Sequence, residues 1–207
     1  MNKIFLYIII FILIISNAFF LLHHIGVNKN ELISSQIESA LIKTQMNSYS
    51  LIGKNVKFIG IEKFFNDKIK RNIGNSPTLF LIFNEFGCNV CQEEESRFAL
   101  EIAKMYGHNK VAVIIRSDNL RYIQSFIRIN RINFDIYYCS DNHFFEINKI
   151  THTPLLIVTD EFNRIIAAHI PISGNSQYSG PFHFFCRDYF TRMYSKMPKM
   201  GLDHASL

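Results

Sequence analysis

Thr78-Leu79-Phe80-Leu81-Ile82-Phe83-Asn84-Glu85-Phe86-Gly87-Cys88-Asn89-Val90-Cys91-Gln92-Glu93-Glu94-Glu95 joins an apolar, β-prone run to two cysteines with two residues between them. The run predicts a buried strand and the residues after it have helical periodicity, so both sulfurs fall at a strand-to-helix junction. The first N–H groups of a helix lack intrahelical partners and carry partial positive charge, which favours thiolate there. Cys88 is therefore the expected nucleophile. On a first helical turn Cys91 comes close enough to attack a mixed disulfide on Cys88, which makes it the expected resolving thiol. Three other readings compete, one of them two free cysteines that fall close together by coincidence. A zinc site needs two more ligands at set spacing, and no second CxxC or HxxxH occurs downstream. A structural staple is weak because so short a loop removes little chain entropy.

The chain has 207 residues, 48% hydrophobic and 14% aromatic, enough for one domain with a sizeable core but cramped for two. Its formal charge of +5 comes from scattered Lys and Arg, so no nucleic-acid footprint is expected. Four cysteines are too few for a disulfide scaffold, and the closely spaced pair reads as chemical.

Working back from the pair, Ile4 to Leu22 is nearly all Ile, Leu and Phe and would span about 28 Å as a helix, the thickness of a bilayer core. Residues 1–24 are expected to be a transmembrane anchor or signal segment. Ser16-Asn17-Ala18 offers a cleavage-like site, while Phe19 to Leu22 continues the apolar run and favours an uncleaved anchor. Lys3 against the sparse charge beyond His23 sets the N-terminus inside. The expectation is a single-pass inner-membrane protein with its domain facing the periplasm, or an exported protein if the segment is cleaved. Residues 25–50 form a juxtamembrane helix and linker, the helix running over 30–48 on apolar positions such as Leu32, Ile37 and Leu41. The globular domain is expected over 51–197 and a flexible tail over 198–207.

Asn55 to Ile61 alternates like a short entering strand, and 66–77 is polar and turn-rich. After the cysteines the helix continues through Phe98, Ile102, Met105 and Tyr106 at core spacing, with Gly107 ending it. Glu93, Glu94 and Glu95 are expected in its first turn as a mostly solvated acidic face, where their charge would raise the Cys88 pKa. Lys110 to Ile115 is a second buried strand, and Ser117-Asp118-Asn119 caps a helix bearing Leu120, Ile123, Phe126 and Ile127. Phe134 to Cys139 is a strand, Asn142 to Ile150 a short helix, and Leu155 to Thr159 pairs with Arg164 to Ile170 across a turn. A loop with Gly174 and Gly180 precedes a final helix whose buried face carries Phe182, Cys186, Tyr189, Met193 and Met197.

Strand, CxxC at a helix start, βα units, then Thr151-His152-Thr153-Pro154 before a strand and a hairpin: over roughly Leu51 to Lys196 this order resembles the thioredoxin superfamily, and most closely the membrane-anchored TlpA-like thiol-disulfide oxidoreductases. The resemblance rests on Cys88-Asn89-Val90-Cys91 and on Thr153-Pro154. It implies an α/β fold with a central mixed sheet flanked by helices, and a cis Thr153–Pro154 peptide against the cysteine pair. Thr153 would then pair with an extended substrate and Pro154 would withhold a competing donor. It further implies protein thiols and disulfides as partners, a membrane electron donor or acceptor, and no cofactor or metal.

Two departures stand out. The aromatic that usually precedes the first cysteine is Gly87, and the buried acid often found in the strand behind the pair is Ile82. Glu85, at the same strand end, is the candidate for proton transfer to Cys91. Cys139 and Cys186 read as core residues, with a disulfide between them left open. His143, His152, His169 and His183 are dispersed, and a copper site joining one of them to the CxxC would suit a copper-delivery relative. The expected function is disulfide exchange with protein partners through Cys88 and Cys91. The alternatives are a redox-inactive scaffold of the same fold and a copper carrier.

Overall fold

The computed structural model describes residues 39–64, 76–173 and 176–196. The chain divides into two compact units, Met1–Thr44 and Gln45–Leu207. Of the first, only the opening of helix α1 (39–49) is described, so the beginning of the helix expected over 30–48 lies outside the described residues. The expected anchor at 1–24, the turn-rich stretch after residue 64 and the tail also lie outside them. Among the described residues no helix is long and apolar enough to cross a membrane.

Six strands form one mixed sheet in the order β1-β4-β3-β2-β5-β6. Strands β2 (Thr78–Asn84), β3 (Val111–Arg116) and β4 (Asp135–Cys139) run parallel at its centre. β5 (Leu155–Thr159) lies antiparallel on β2, with Ile82 opposite Leu155, and β6 (Ile165–His169) pairs antiparallel with β5. β1 (Glu62–Lys63) closes the other edge against β4. Because successive strand side chains point to opposite faces, the apolar run of β2 feeds two cores. Leu79, Leu81 and Phe83 enter a core completed by α2 (Asn89–Tyr106), α3 (Leu120–Asn130) and α5 (Gly180–Lys196). Phe80 and Ile82 enter a second core, completed by Leu51, Val56 and the short helix α4 (His143–Ile147).

The central strands, the helix opening at the cysteine pair, the Asn119 cap and the late hairpin lie where the sequence places them. The strand expected at Asn55 to Ile61 does not form. Only Asn55 makes an isolated bridge to Arg164, and the paired strand comes later, at Glu62–Lys63. The Asn148 side chain takes the place of a strand neighbour: Lys57 N–H donates to its Oδ1 at 2.8 Å and its Nδ2 donates back to Lys57 O at 2.9 Å. Gly60, at φ +76, then turns the chain out of the extended region. Met105 and Leu120 are exposed instead of buried, each lying near an end of its helix. On α5 the buried face is Phe182, Cys186 and Phe190, with Tyr189 and Met193 only half-buried.

Candidate functional site

β2 ends at Asn84, and Glu85, Phe86 and Gly87 turn the chain into α2. Cys88 is the N-cap of α2, and its sulfur accepts the Cys91 N–H at 3.3 Å. It therefore occupies the place where a helix offers unpaired donors and positive partial charge. Cys88 and Cys91 are joined as a disulfide, with Cα atoms 5.4 Å apart. The two sulfurs are not equivalent. Cys91 is 2% exposed, whereas Cys88 is half-buried on a rim formed with exposed Phe86, Asn89 and Val90.

Beneath this rim runs an uncharged hydrogen-bonded chain. Asn84 Nδ2 donates to Thr153 Oγ1 at 2.6 Å, and Gln92 Nε2 donates to Asn84 O at 3.1 Å. Tyr122 OH, from α3, donates to Gln92 Oε1 at 3.1 Å. Gln92, the residue after Cys91, is buried, and the chain links the helix start, the end of β2, the loop before β5 and α3. It brings Thr153 to the same end of the sheet as the cysteines. The Thr153–Pro154 peptide is cis, with Pro154 buried and Thr153 half-buried.

Gly87 is explained by the same network. A Cβ there would lie 2.8 Å from Gln92 Nε2 and 3.1 Å from Asn84 Oδ1, too close for either to stay. The aromatic ring stands one residue earlier, at Phe86, and is 91% exposed.

Glu85 lies at the strand end, but its carboxylate accepts Ser117 Oγ at 2.7 Å and Asn119 Nδ2 at 3.2 Å, tying β2 to the cap of α3. The three glutamates on α2 depart from expectation. The helix begins at Asn89, so no acidic residue lies in its first turn; Glu93 and Glu94 are exposed, and Glu95 is 2% exposed. Glu95 Oε1 accepts Ser179 Oγ at 2.8 Å, and Oε2 lies 2.7 Å from His183 Nε2. Ser179 Oγ is in turn 2.9 Å from His169 Nε2. This cluster was legible in one respect. Cys91, Glu95, Phe98 and Ile102 recur at helical spacing, which places Glu95 on the buried stripe and not on a solvated face.

The remaining candidates are scattered. Cys139 and Cys186 are both free and buried; burial above all pushes the Cys139 thiol up to about 11 and raises that of Cys186 as well. His152 lies beside Asn47, whose Nδ2 is 3.1 Å from its Nε2. Among the described residues no three His, Cys, Asp or Glu side chains gather as a metal site.

The parallel β2–β4 core, the antiparallel β5–β6 hairpin and a helix opening at the disulfide have a counterpart among solved structures. A candidate protein disulfide isomerase from Bacteroides thetaiotaomicron superposes with a TM-score of 0.52 at 12% identity, over 70% of this chain and 88% of its own. The chain has the thioredoxin fold. Two further solved structures are similar to it, each at a TM-score of 0.49. The thioredoxin domain of a thiol-disulfide oxidoreductase from Bacteroides vulgatus matches at 13% identity, over 64% of this chain and 96% of that one. A thiol-disulfide oxidoreductase from Bacteroides fragilis matches at 14%, over 64% and 99%. No protein-family model and no curated protein matches the sequence. Within the thioredoxin fold, the cysteine pair lies at the start of α2 and the Thr153–Pro154 turn at the start of β5.

Proposed function

We propose that this chain is a thiol-disulfide oxidoreductase acting on protein thiols and disulfides, of the TlpA-like kind that the order of its motifs resembles. The observation that carries the reading is the unequal disulfide at a helix start: one sulfur, Cys88, lies on an exposed rim, and the other, Cys91, is buried behind it. In the reducing direction the Cys88 thiolate attacks a substrate disulfide, forming a mixed disulfide and releasing one substrate thiol. Cys91 then attacks the Cys88 sulfur, the Cys88–Cys91 disulfide forms, and the second substrate thiol leaves with both electrons delivered. Run backwards, the same steps oxidise a dithiol partner. Thr153 offers its backbone to an extended substrate beside the pair, and Pro154 has no N–H to compete for the sulfurs. Phe86 and Val90 add apolar surface to the rim.

Residues 1–24 anchor the domain outside the cytoplasm in this reading, in a compartment where disulfides form and are managed. A membrane electron donor or acceptor would then supply or drain the pair. The deciding experiment is a glutathione redox titration of the full chain, following Cys88 and Cys91 by alkylation and mass spectrometry. A potential below about −230 mV marks a reductant, and one near −120 to about −180 mV an oxidant or isomerase. If no Cys88–Cys91 disulfide forms at any ratio, or if Cys88→Ser leaves insulin reduction intact, the reading is wrong.

A further inference from the structure

Beside the cysteine pair lies a feature that the exchange chemistry does not use. A cleft of about 200 Å³ opens between the first turns of α2 and the body of α3. Asn89, Gln92 and Glu93 line it from α2, and Tyr122, Phe126 and Ile129 from α3. Asn89 follows Cys88 directly, and consecutive Cα atoms are about 3.8 Å apart, so the cleft begins within one residue of the outer sulfur. Its two walls are tied together by Tyr122 OH, which donates to Gln92 Oε1 at 3.1 Å. On α3 the lining residues recur at i, i+4 and i+7, one stripe of a helix. Phe126 is buried there and Ile129 is 67% exposed, which gives the cleft an apolar wall.

Size and charge narrow what it can hold. Small-ligand pockets measure about 300–1,000 Å³, so this one suits a single side chain. Among the residues that line it only Glu93 is charged; Arg121 and Arg128 of α3 do not line it. The Glu93 carboxylate lies 3.8 Å from Arg97, but both side chains are at least half exposed, and a pair of that kind holds weakly. An acidic side chain in the cleft would be repelled by Glu93, and a wholly apolar one would cover the carboxylate without pairing it. A lysine or arginine suits both walls, its methylene stem against Phe126 and Ile129 and its cation at Glu93. The net charge of +5 on the chain does not oppose this, because exposed charges beyond about 8 Å are largely screened at physiological ionic strength.

We propose that this cleft selects the substrate: it takes a lysine or arginine side chain two residues from the substrate cysteine that Cys88 attacks. The inference rests on the dithiol reading above and gives it a substrate class, proteins whose reactive cysteine has basic neighbours. The offset follows from an extended substrate. Side chains of an extended segment alternate between faces, so when the cysteine faces Cys88, residues two places away face the same surface about 7 Å along. Glu93 lies at a matching rise, about 7.5 Å from Cys88 along the helix axis. It takes no part in the exchange of sulfurs and acts by holding the substrate beside them.

The test is the reaction of the reduced full chain, solubilised in neutral detergent, with three alanine-based peptides. Each carries one cysteine as a mixed disulfide with thiopyridine, and has Lys, Gln or Glu both two residues before and two residues after it. Attack by Cys88 on the peptide sulfur releases thiopyridone, whose absorbance gives the second-order rate constant. The Lys peptide should react about fivefold faster than the Glu peptide at low salt, and the ratio should shrink as salt rises. Glu93→Gln should bring the ratio close to one, and Glu93→Lys should invert it. Glu94→Gln, next along the helix but outside the cleft, should keep the ratio of the parent. The inference is overturned if the parent shows no preference, if Glu93→Lys keeps it, or if Glu94→Gln erodes it as much as Glu93→Gln does. A parent chain that releases no thiopyridone even from the neutral Gln peptide overturns the dithiol reading itself, an outcome distinct from indifference to charge.

Discussion

Asn84 Nδ2 donates to Thr153 Oγ1 at 2.6 Å, so a side-chain hydrogen bond joins the last residue of β2 to the residue before Pro154. The loop expected to receive substrate is thereby fixed to the strand that delivers the cysteines. Asn84→Ala removes this bond and leaves the Thr153 hydroxyl without its partner, which should cost about 1–3 kcal/mol, read as a lower urea midpoint at unchanged slope. Thr153→Val keeps the shape and should cost about 1 kcal/mol. Both should slow exchange with protein substrates more than with a small disulfide, since only the former use the loop. Equal slowing of the two would show that the bond serves stability alone.

Gly87 is confined by Gln92 and Asn84, not by its backbone angles. Gly87→Ala should destabilise the fold by about 1–3 kcal/mol, because the new methyl would meet the Gln92 amide at 2.8 Å and the Asn84 carbonyl oxygen at 3.3 Å. Shortening the neighbour relieves the clash, so Gly87→Ala with Gln92→Ser should cost less than the sum of the two single changes. A double-mutant cycle by chemical denaturation measures this coupling, and additivity within about 0.5 kcal/mol would refute it.

Phe86 exposes nearly its whole ring two residues before Cys88. Stability should hardly change in Phe86→Ser, within about 0.5 kcal/mol, because the ring buries almost nothing. Exchange should suffer instead: KM for protein substrates rises while kcat is kept, the pattern of lost uniform binding. Steady-state kinetics on a reduced or scrambled protein substrate separate the two constants, and an unchanged KM removes Phe86 from the substrate surface.

Cys139 and Cys186 are buried, and burial raises the pKa of both thiols. Native reduced protein should therefore alkylate at Cys88 and resist at Cys139 and Cys186, all becoming reactive in denaturant. Peptide mapping after brief alkylation at neutral pH reads this directly. Rapid native labelling of Cys186 would contradict its place on the buried face of α5.

The parts of this molecule that were legible in the sequence are those in which one period dominates. β2 is apolar from Leu79 to Phe83 because it faces two cores, and α2 and α3 show their caps and buried stripes openly. Asn55 to Ile61 misled because its alternation is genuine while its partner is a side-chain amide, Asn148, ninety-one positions away from Lys57 in the chain. Glu95 misled for the opposite reason. As one of three adjacent glutamates it reads as surface charge, and only the phase set by Cys91, Phe98 and Ile102 separates it from Glu93 and Glu94. Its partners, Ser179 and His183, arrive from α5 and the turn before it, which no local pattern announces. Gly87 was visible as a departure, but its cause lies in the Gln92 and Asn84 side chains folding back under it.

His169 supplies the last prediction. Burial, first among its influences, holds its imidazole down at about 4; the Glu95 carboxylate draws it up and His183 pushes it down. In the unfolded chain the same group takes its proton near 6.5. Between those two values the unfolded state binds the proton and the folded state does not, so stability falls as pH falls through the window. The full loss, about 3 kcal/mol, is reached near the lower value, below which both states are protonated. His169→Gln retains a donor for Ser179 and cannot charge, so its urea midpoint should fall less than the parent's between about pH 7 and about 4. If both midpoints fall in parallel, the acid sensitivity does not arise from His169.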